Sequence, residues 1–189
     1  MLNFIKFIEI LVSLQSIFIS TMIPIIINIP FTKKLIYSLD IPITLQIPTI
    51  IFISLCFKKN VVYIAFTIYL FIGLFILPIF HQGGSLGYLL TPNFGYLIGT
   101  YPLIKIIDNL NNKNKIYIYN FFRNGILAIT AMHITGIFYS LLLMIYYKQI
   151  NIFLYNIGNY TLGKIIYHFL MLIPLYLLIK PIRAMRYRE

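Results

Sequence analysis

Amides, phenols and histidines carry whatever chemistry this chain can do. Gln82 and Asn93, with Thr44 and Gln46 upstream, offer donors and acceptors without charge. Phe80, Tyr88, Phe94 and Tyr96 offer flat apolar walls, two of them with phenol handles. Such a set suits recognition of a small molecule in a mostly apolar pocket, although aromatic rings also form the interfacial belts of membrane proteins. Catalysis is poorly served. His81, His133 and His168 stand singly, without HExxH or a carboxylate at ligand spacing, so no metal site is expected. His133 reads as a hydrogen-bonded contact between helices. The four acidic residues, Glu9, Asp40, Asp108 and Glu189, fall near the ends of apolar runs or between them, which leaves no buried acid–base pair and no proton relay. Gly83–Gly87 (GGSLG) lacks the Lys-Ser/Thr of a phosphate-binding loop, so the chain is not expected to hydrolyse ATP. Cys56, the one cysteine, excludes an internal disulfide and a cysteine metal cluster and reads as packing. No catalytic residue and no cofactor is expected.

The elements that must hold these residues lie in lipid. Of 189 residues 60% are hydrophobic and 10% charged, with mean hydropathy +0.90. A soluble domain carries about 25% charged residues, and a water-soluble core cannot absorb this much apolar side chain. At roughly 20 residues per span, six spans with short connections use up the chain. The expected fold is an all-α integral membrane protein, a six-helix bundle forming one membrane domain over residues 1–189. The spans are read at about Phe4–Ile27, Ile41–Phe57, Val61–Phe80, Tyr88–Ile107, Ile116–Tyr147 and Ile165–Ile179. Asn28–Asp40 and Lys148–Lys164 are read as connections, and Pro42 and Pro48 are expected to break the start of the second span. In span 1, Ser16 and Ser20 form a small-xxx-small pair of the kind that lets membrane helices approach closely, within one chain or between subunits. Gly125, Ala128, Ala131, Thr135 and Gly136 offer a second such face on span 5.

His81–Pro102 interrupts this pattern. It is uncharged and holds Gly83, Gly84, Gly87, Gly95 and Gly99. Irregular backbone at membrane depth is tolerated only where protein buries it or it lines a cavity, so this stretch is expected to cap an outward-facing pocket, with a plain interhelical loop as the alternative. The net charge of +11 would suggest nucleic acid in a soluble protein. Here the cations lie between spans and report topology. With both termini inside, eleven of the 15 Lys and Arg residues fall on the inner side and four, Lys33, Lys34, Lys148 and Lys164, on the outer. That places Asn28–Asp40, the glycine-rich stretch and Lys148–Lys164 together outside.

Three ordered motifs resemble those of the BioY family, the biotin-binding components of energy-coupling-factor (ECF) transporters. Pro42-Ile43-Thr44-Leu45-Gln46 resembles the family's PITLQ. Gly73–Phe80 (GLFILPIF) resembles GLxGLPVF, with Ile76 at the second glycine. Thr91–Gly99 (TPNFGYLIG) resembles GPTGGYLIG, with Thr91 and Phe94 replacing glycines. The likeness covers roughly Ser16–Pro102. It implies biotin binding from the outer face, for which the pocket read above from Thr44, Gln46, Phe80, Gln82, Tyr88, Asn93 and Tyr96 is the expected site. It implies assembly with a transmembrane coupling subunit, through a first-span face that Ser16 and Ser20 match in size, and with two ATPase subunits. It also implies a Pro-x-Asp-x-x-Lys motif in the last span. Here Pro174 is followed by Tyr176 where the acid would stand, and Lys180 comes one residue late. The cation that reads the ligand carboxylate is therefore Lys180, Lys164 or a residue of another connection. Riboflavin or thiamine is the alternative vitamin; a non-transporting membrane assembly protein and an intramembrane enzyme are the readings from other classes. A bacterial plasma membrane or a plastid envelope would suit, with both termini cytoplasmic or stromal.

Overall fold

The computed structural model describes residues 2–31, 35–81, 83–110 and 116–186. Helix α1 (Leu2–Met22) has 21 residues, about 31 Å at 1.5 Å per residue, enough to cross a hydrocarbon core. It stops ahead of Pro24, which biases the residue before it to extended backbone. Where a connection and the start of a second span were expected, the chain forms an antiparallel ribbon, β1 (Pro24–Phe31) and β2 (Leu35–Thr44), with Ile27 opposite Leu39 and Pro24 opposite Thr44. Isoleucine-rich segments favour strands. Each strand of a two-stranded ribbon has a free edge, which is where Pro24, Pro30 and Pro42 can sit without breaking the ladder. The Leu45 amide donates to the Ile23 carbonyl at 3.0 Å and closes the base of the ribbon.

Helix α2 (Gln46–Cys56) starts five residues later than the sequence pattern suggested, because Pro42 belongs to β2. Helix α3 (Lys59–Phe75) follows after a sharp turn at Phe57 and Lys58. A short 3-10 turn over Leu86–Leu90 precedes α4 (Pro92–Ile98), which opens on Pro92 at its first position, where the missing N–H costs nothing. Helix α5 (Thr100–Asp108) continues α4 after a break. Pro102 supplies no amide hydrogen for the Ile98 carbonyl, which divides the expected fourth span into these two pieces.

Helix α6 (Ile118–Tyr147) is the long central element. Lys148, in the left-handed conformation at φ 55°, turns the chain into α7 (Ile150–Asn156). A π-turn (Ile157–Leu162), α8 (Gly163–Leu170) and α9 (Leu172–Arg186) continue it. So Lys148–Lys164 is helical over most of its length, not a connection, and the last helical rod starts well before Ile165. Three helical stretches, Phe4–Met22, Ile118–Tyr147 and Ile150–Arg183, are long and apolar enough to cross a membrane. Apolar side chains such as Phe71, Phe138 and Leu177 point outward, as lipid-facing residues do.

The core joins α2, α3, α5 and α6 through Ile50, Phe66, Tyr69, Leu103, Ile104, Phe121 and Ile129, all essentially sealed from solvent. Helix α6 approaches its neighbours at glycines. A Cβ on Gly99 would lie 2.5 Å from the Met132 carbonyl oxygen, and one on Gly136 would lie 2.4 Å from the Tyr96 ring. The small residues of span 5 thus make internal contacts. In α1, Ser13, Ile17, Ser20 and Thr21 are buried, and this helix packs against α3. Ser20 bonds the Ile17 carbonyl at 3.0 Å inside the bundle, while Ser16 is half-buried with its hydroxyl on the Val12 carbonyl at 2.7 Å. The expected pair is therefore divided, and the Ser20 contact is within the chain.

Candidate functional site

The ribbon base, the glycine-rich stretch and the α7–α8 rod converge on a cavity of about 570 Å³. Thr44 and Gln46 enter from the β2–α2 corner, where the proline-closed strand hands over to the helix. Gln46 is buried and its Nε2 donates to the Tyr69 hydroxyl at 3.1 Å. That hydroxyl is itself 3.2 Å from Thr21 Oγ1. A chain of α1, α3 and α2 side chains thus fixes the amide, which meets the requirement that buried polar groups be partnered.

The glycine-rich stretch contributes His81, Tyr88, Asn93 and Tyr96. Its path is pinned at Gly84, which has no room for a side chain: a Cβ would sit 2.4 Å from the Pro78 Cα. Next to it, the Ser85 amide donates to the Gly73 carbonyl at 2.9 Å. The Tyr88 hydroxyl donates to the His81 carbonyl at 3.2 Å and also meets Asn93. The Tyr139 hydroxyl donates to the Leu89 carbonyl, tying the stretch to α6. Tyr96 lies over Gly136, with its hydroxyl 2.7 Å from Thr161 Oγ1 in the π-turn. His81 stands at the rim. Partial burial, and secondarily the Lys164 ammonium, lower its pKa from the ordinary histidine value of 6.5.

The third wall comes from α6 and the π-turn rod: Met132, His133, Asn159, Tyr160, Lys164 and His168. Lys164 is half-buried with Nζ 4.9 Å from the centre of the Tyr160 ring, a cation–π contact. His133 Nε2 faces His168 Nδ1 at 3.1 Å, so the expected interhelical contact of His133 is made, with another histidine. No carboxylate lines the cavity among the described residues. A partly desolvated ammonium without a fixed counter-ion is an anion-binding element.

Of the residues singled out in the sequence, Thr44, Gln46, Tyr88, Asn93 and Tyr96 are brought together around this cavity. Phe80 is behind the wall, buried, with its ring tilted against Tyr88 at 4.7 Å and edge-on to Tyr69 at 5.3 Å. Gln82 lies outside the described residues. Tyr176 packs on Phe121 and Phe122 at 5.3 and 6.0 Å, and Lys180 is exposed on α9. Neither lines the cavity; among the described residues, Lys164 is the candidate cation that does. Asn159, Tyr160 and His168 were missed for a geometric reason. Helical periodicity puts residues five apart on different faces, but the i→i+5 closure of a π-turn stacks them. Asn159 and Lys164 are such a pair, and His168 follows one α-turn later.

The BioY family model matches residues 5–183. A probable biotin transporter BioY of Lysinibacillus sphaericus is 44% identical over 66 residues, 31% of this chain and 30% of that protein, so the alignment spans less than a third of the relative's length. The crystal structure of an S-component for biotin from an ECF-type ABC transporter superimposes over 99% of this chain and 93% of its own with a TM-score of 0.62 at 20% identity, a likeness of fold.

Proposed function

The chain belongs to the BioY family, and on that premise we propose that it binds biotin as the substrate-binding component of an ECF-type transporter. The observation that carries the ligand assignment is Lys164, an ammonium set in a cavity whose other described lining residues are amides, phenols, histidines, a threonine and apolar side chains. Biotin joins a neutral bicyclic head to a carboxylate tail. Gln46, Asn93 and Thr44 suit the ureido group of the head, Tyr88 and Tyr96 suit its flat faces, and Lys164 with Asn159 suits the carboxylate. Thiamine, a cation, would meet Lys164 with repulsion.

Transport would be energised by a coupling subunit and two ATPase subunits, since the sequence has no phosphate-binding loop. The exposed side of α1, at the level of Ser16, is the face assigned to the coupling subunit. The cavity end would open to the outside. The opposite end carries Lys59 paired with Asp108 at 3.7 Å and Arg183 bonded to the carbonyls of Leu55 and Leu110, and it would lie inside with both termini. The membrane is a bacterial plasma membrane or a plastid envelope. Equilibrium binding of labelled biotin, riboflavin and thiamine to the full chain purified in detergent tests the reading. Saturable binding of biotin alone is expected; binding of another vitamin in preference, or of none, would reject it.

A further inference from the structure

The two histidines in the cavity wall have a fixed internal logic. His133 Nε2 and His168 Nδ1 are 3.1 Å apart, so one hydrogen lies between them. In a neutral pair this leaves two arrangements. Either His168 Nδ1–H donates and His133 carries its own hydrogen on Nδ1, or His133 Nε2–H donates and His168 carries its own on Nε2. His133 Nδ1 decides the matter: it is sealed from solvent and has no hydrogen-bond partner among the described residues. A buried N–H without an acceptor is rarer and costlier than a bare lone pair. The hydrogen therefore belongs on His133 Nε2, and His168 is left with an N–H at Nε2. That nitrogen makes no hydrogen bond among the described residues, yet it is not among the sealed polar atoms, and His168 borders the cavity. It is one helical turn from Lys164, on the same face of α8.

We propose that His168 is a second reader of the ligand's carboxylate, donating from Nε2 beside the Lys164 ammonium, and that His133 is the positioning residue that holds His168 in that tautomer. The inference rests on the biotin reading above. A carboxylate has room for both donors, and a hydrogen bond to a charged acceptor is worth more than one between neutral groups. Among the described residues, no acceptor is hydrogen-bonded to that nitrogen. Tyr96 packs its ring edge-on to His133 at 5.6 Å and spends its hydroxyl on Thr161. Tyr160 lies under Lys164, and His81 stands across the cavity at the rim.

The test measures affinities of biotin and of its uncharged amide for the full chain in detergent, for the wild type, His168→Phe, His168→Gln and His133→Phe. Nitrogen-15 spectra of the labelled histidines are recorded alongside. Loss of a charge-assisted hydrogen bond predicts that His168→Phe weakens biotin by about 10- to 100-fold, with the amide changed far less. His168→Gln, which keeps a donor at a similar reach, restores most of the loss. His133→Phe falls between, and it replaces a single Nε2–H signature of His168 by a mixture. Equal losses for biotin and its amide, no loss for either, or a wild-type spectrum showing His168 protonated on Nδ1 would overturn the assignment. The wild-type spectrum decides even if the phenylalanine variants fail to fold. Binding of neither probe to the wild type would instead reject the biotin reading, and this inference with it.

Discussion

At the scale of single residues, the cavity is built from side chains whose second partner fixes the first. On the proposed reading, Gln46 would hold a ligand only as well as Tyr69 and Thr21 hold Gln46. Tyr69→Phe removes the hydroxyl that meets both Gln46 and Thr21 and leaves the Gln46 amide unanchored, so biotin affinity is expected to fall about three- to tenfold, by the usual 0.5–1.5 kcal/mol for the lost anchor of that amide. Isothermal titration would show it; unchanged affinity would mean that Gln46 is oriented by something else. Gly136→Ala tests a steric claim. The added Cβ would sit 2.4 Å from the Tyr96 ring. The ring must move out of its slot and lose Thr161, and the expected result is weaker binding with a lowered melting temperature. His81 supplies the pH dependence. Its folded-state pKa is lowered, so the unfolded chain takes up a proton first as pH falls through about 6.5. Stability present at neutral pH is then lost on acidification, and His81→Gln should flatten that part of the melting-temperature profile.

Legibility differed by residue for physical reasons. Thr44, Gln46, Asn93 and Tyr96 lie in short motifs that keep their meaning without knowledge of the fold, and these residues do meet in space. Tyr176 and Lys180 were placed by a last-span motif that this chain matches only at Pro174, and they lie on the bundle flank and on the exterior, respectively. Three separate histidines gave no sign that two of them, 35 residues apart, face one another.

Among elements, the π-turn is decisive. It converts Asn159, Tyr160 and Lys164 from a helical scatter into one wall. Deleting Leu162, an exposed residue between Tyr160 and Lys164, should restore α-helical closure and rotate the residues before the deletion, Asn159 and Tyr160 among them, by about 100° relative to Lys164. Biotin binding is expected to be lost while helix content by circular dichroism is kept; retained binding would show that the widened turn is dispensable. Hydropathy alone could not reveal such a turn, because one extra residue leaves the apolar content unchanged. It also could not separate the ribbon from span ends, since Pro24–Phe31 and Leu35–Thr44 are as rich in isoleucine as any helix here. Long periodic α6, by contrast, lies close to its expected bounds.

For the whole molecule, the bundle is closed at the end away from the cavity by a buried arginine. Arg183 donates to the Leu110 and Leu55 carbonyls at 3.0 Å each and so ties α9 to the ends of α5 and α2. A cation at helix C-termini also complements their dipoles. Arg183→Met is expected to destabilise the protein by roughly 2–4 kcal/mol, the cost of leaving buried carbonyls unpaired, with biotin affinity little changed when measured below the melting temperature. A matching loss of affinity would show that this clasp shapes the cavity. Ser16→Leu on the outer side of α1 should leave binding intact and reduce uptake in cells carrying the ATPase module; undiminished uptake would move the coupling face elsewhere. The central claim is that one uncompensated ammonium makes an uncharged membrane cavity a receptor for a carboxylate-bearing vitamin. Its most direct test is the dissociation constant of biotin for the purified full chain and for Lys164→Met: saturable binding by the first and at least tenfold weaker binding by the second are predicted, and equal affinities would contradict the account.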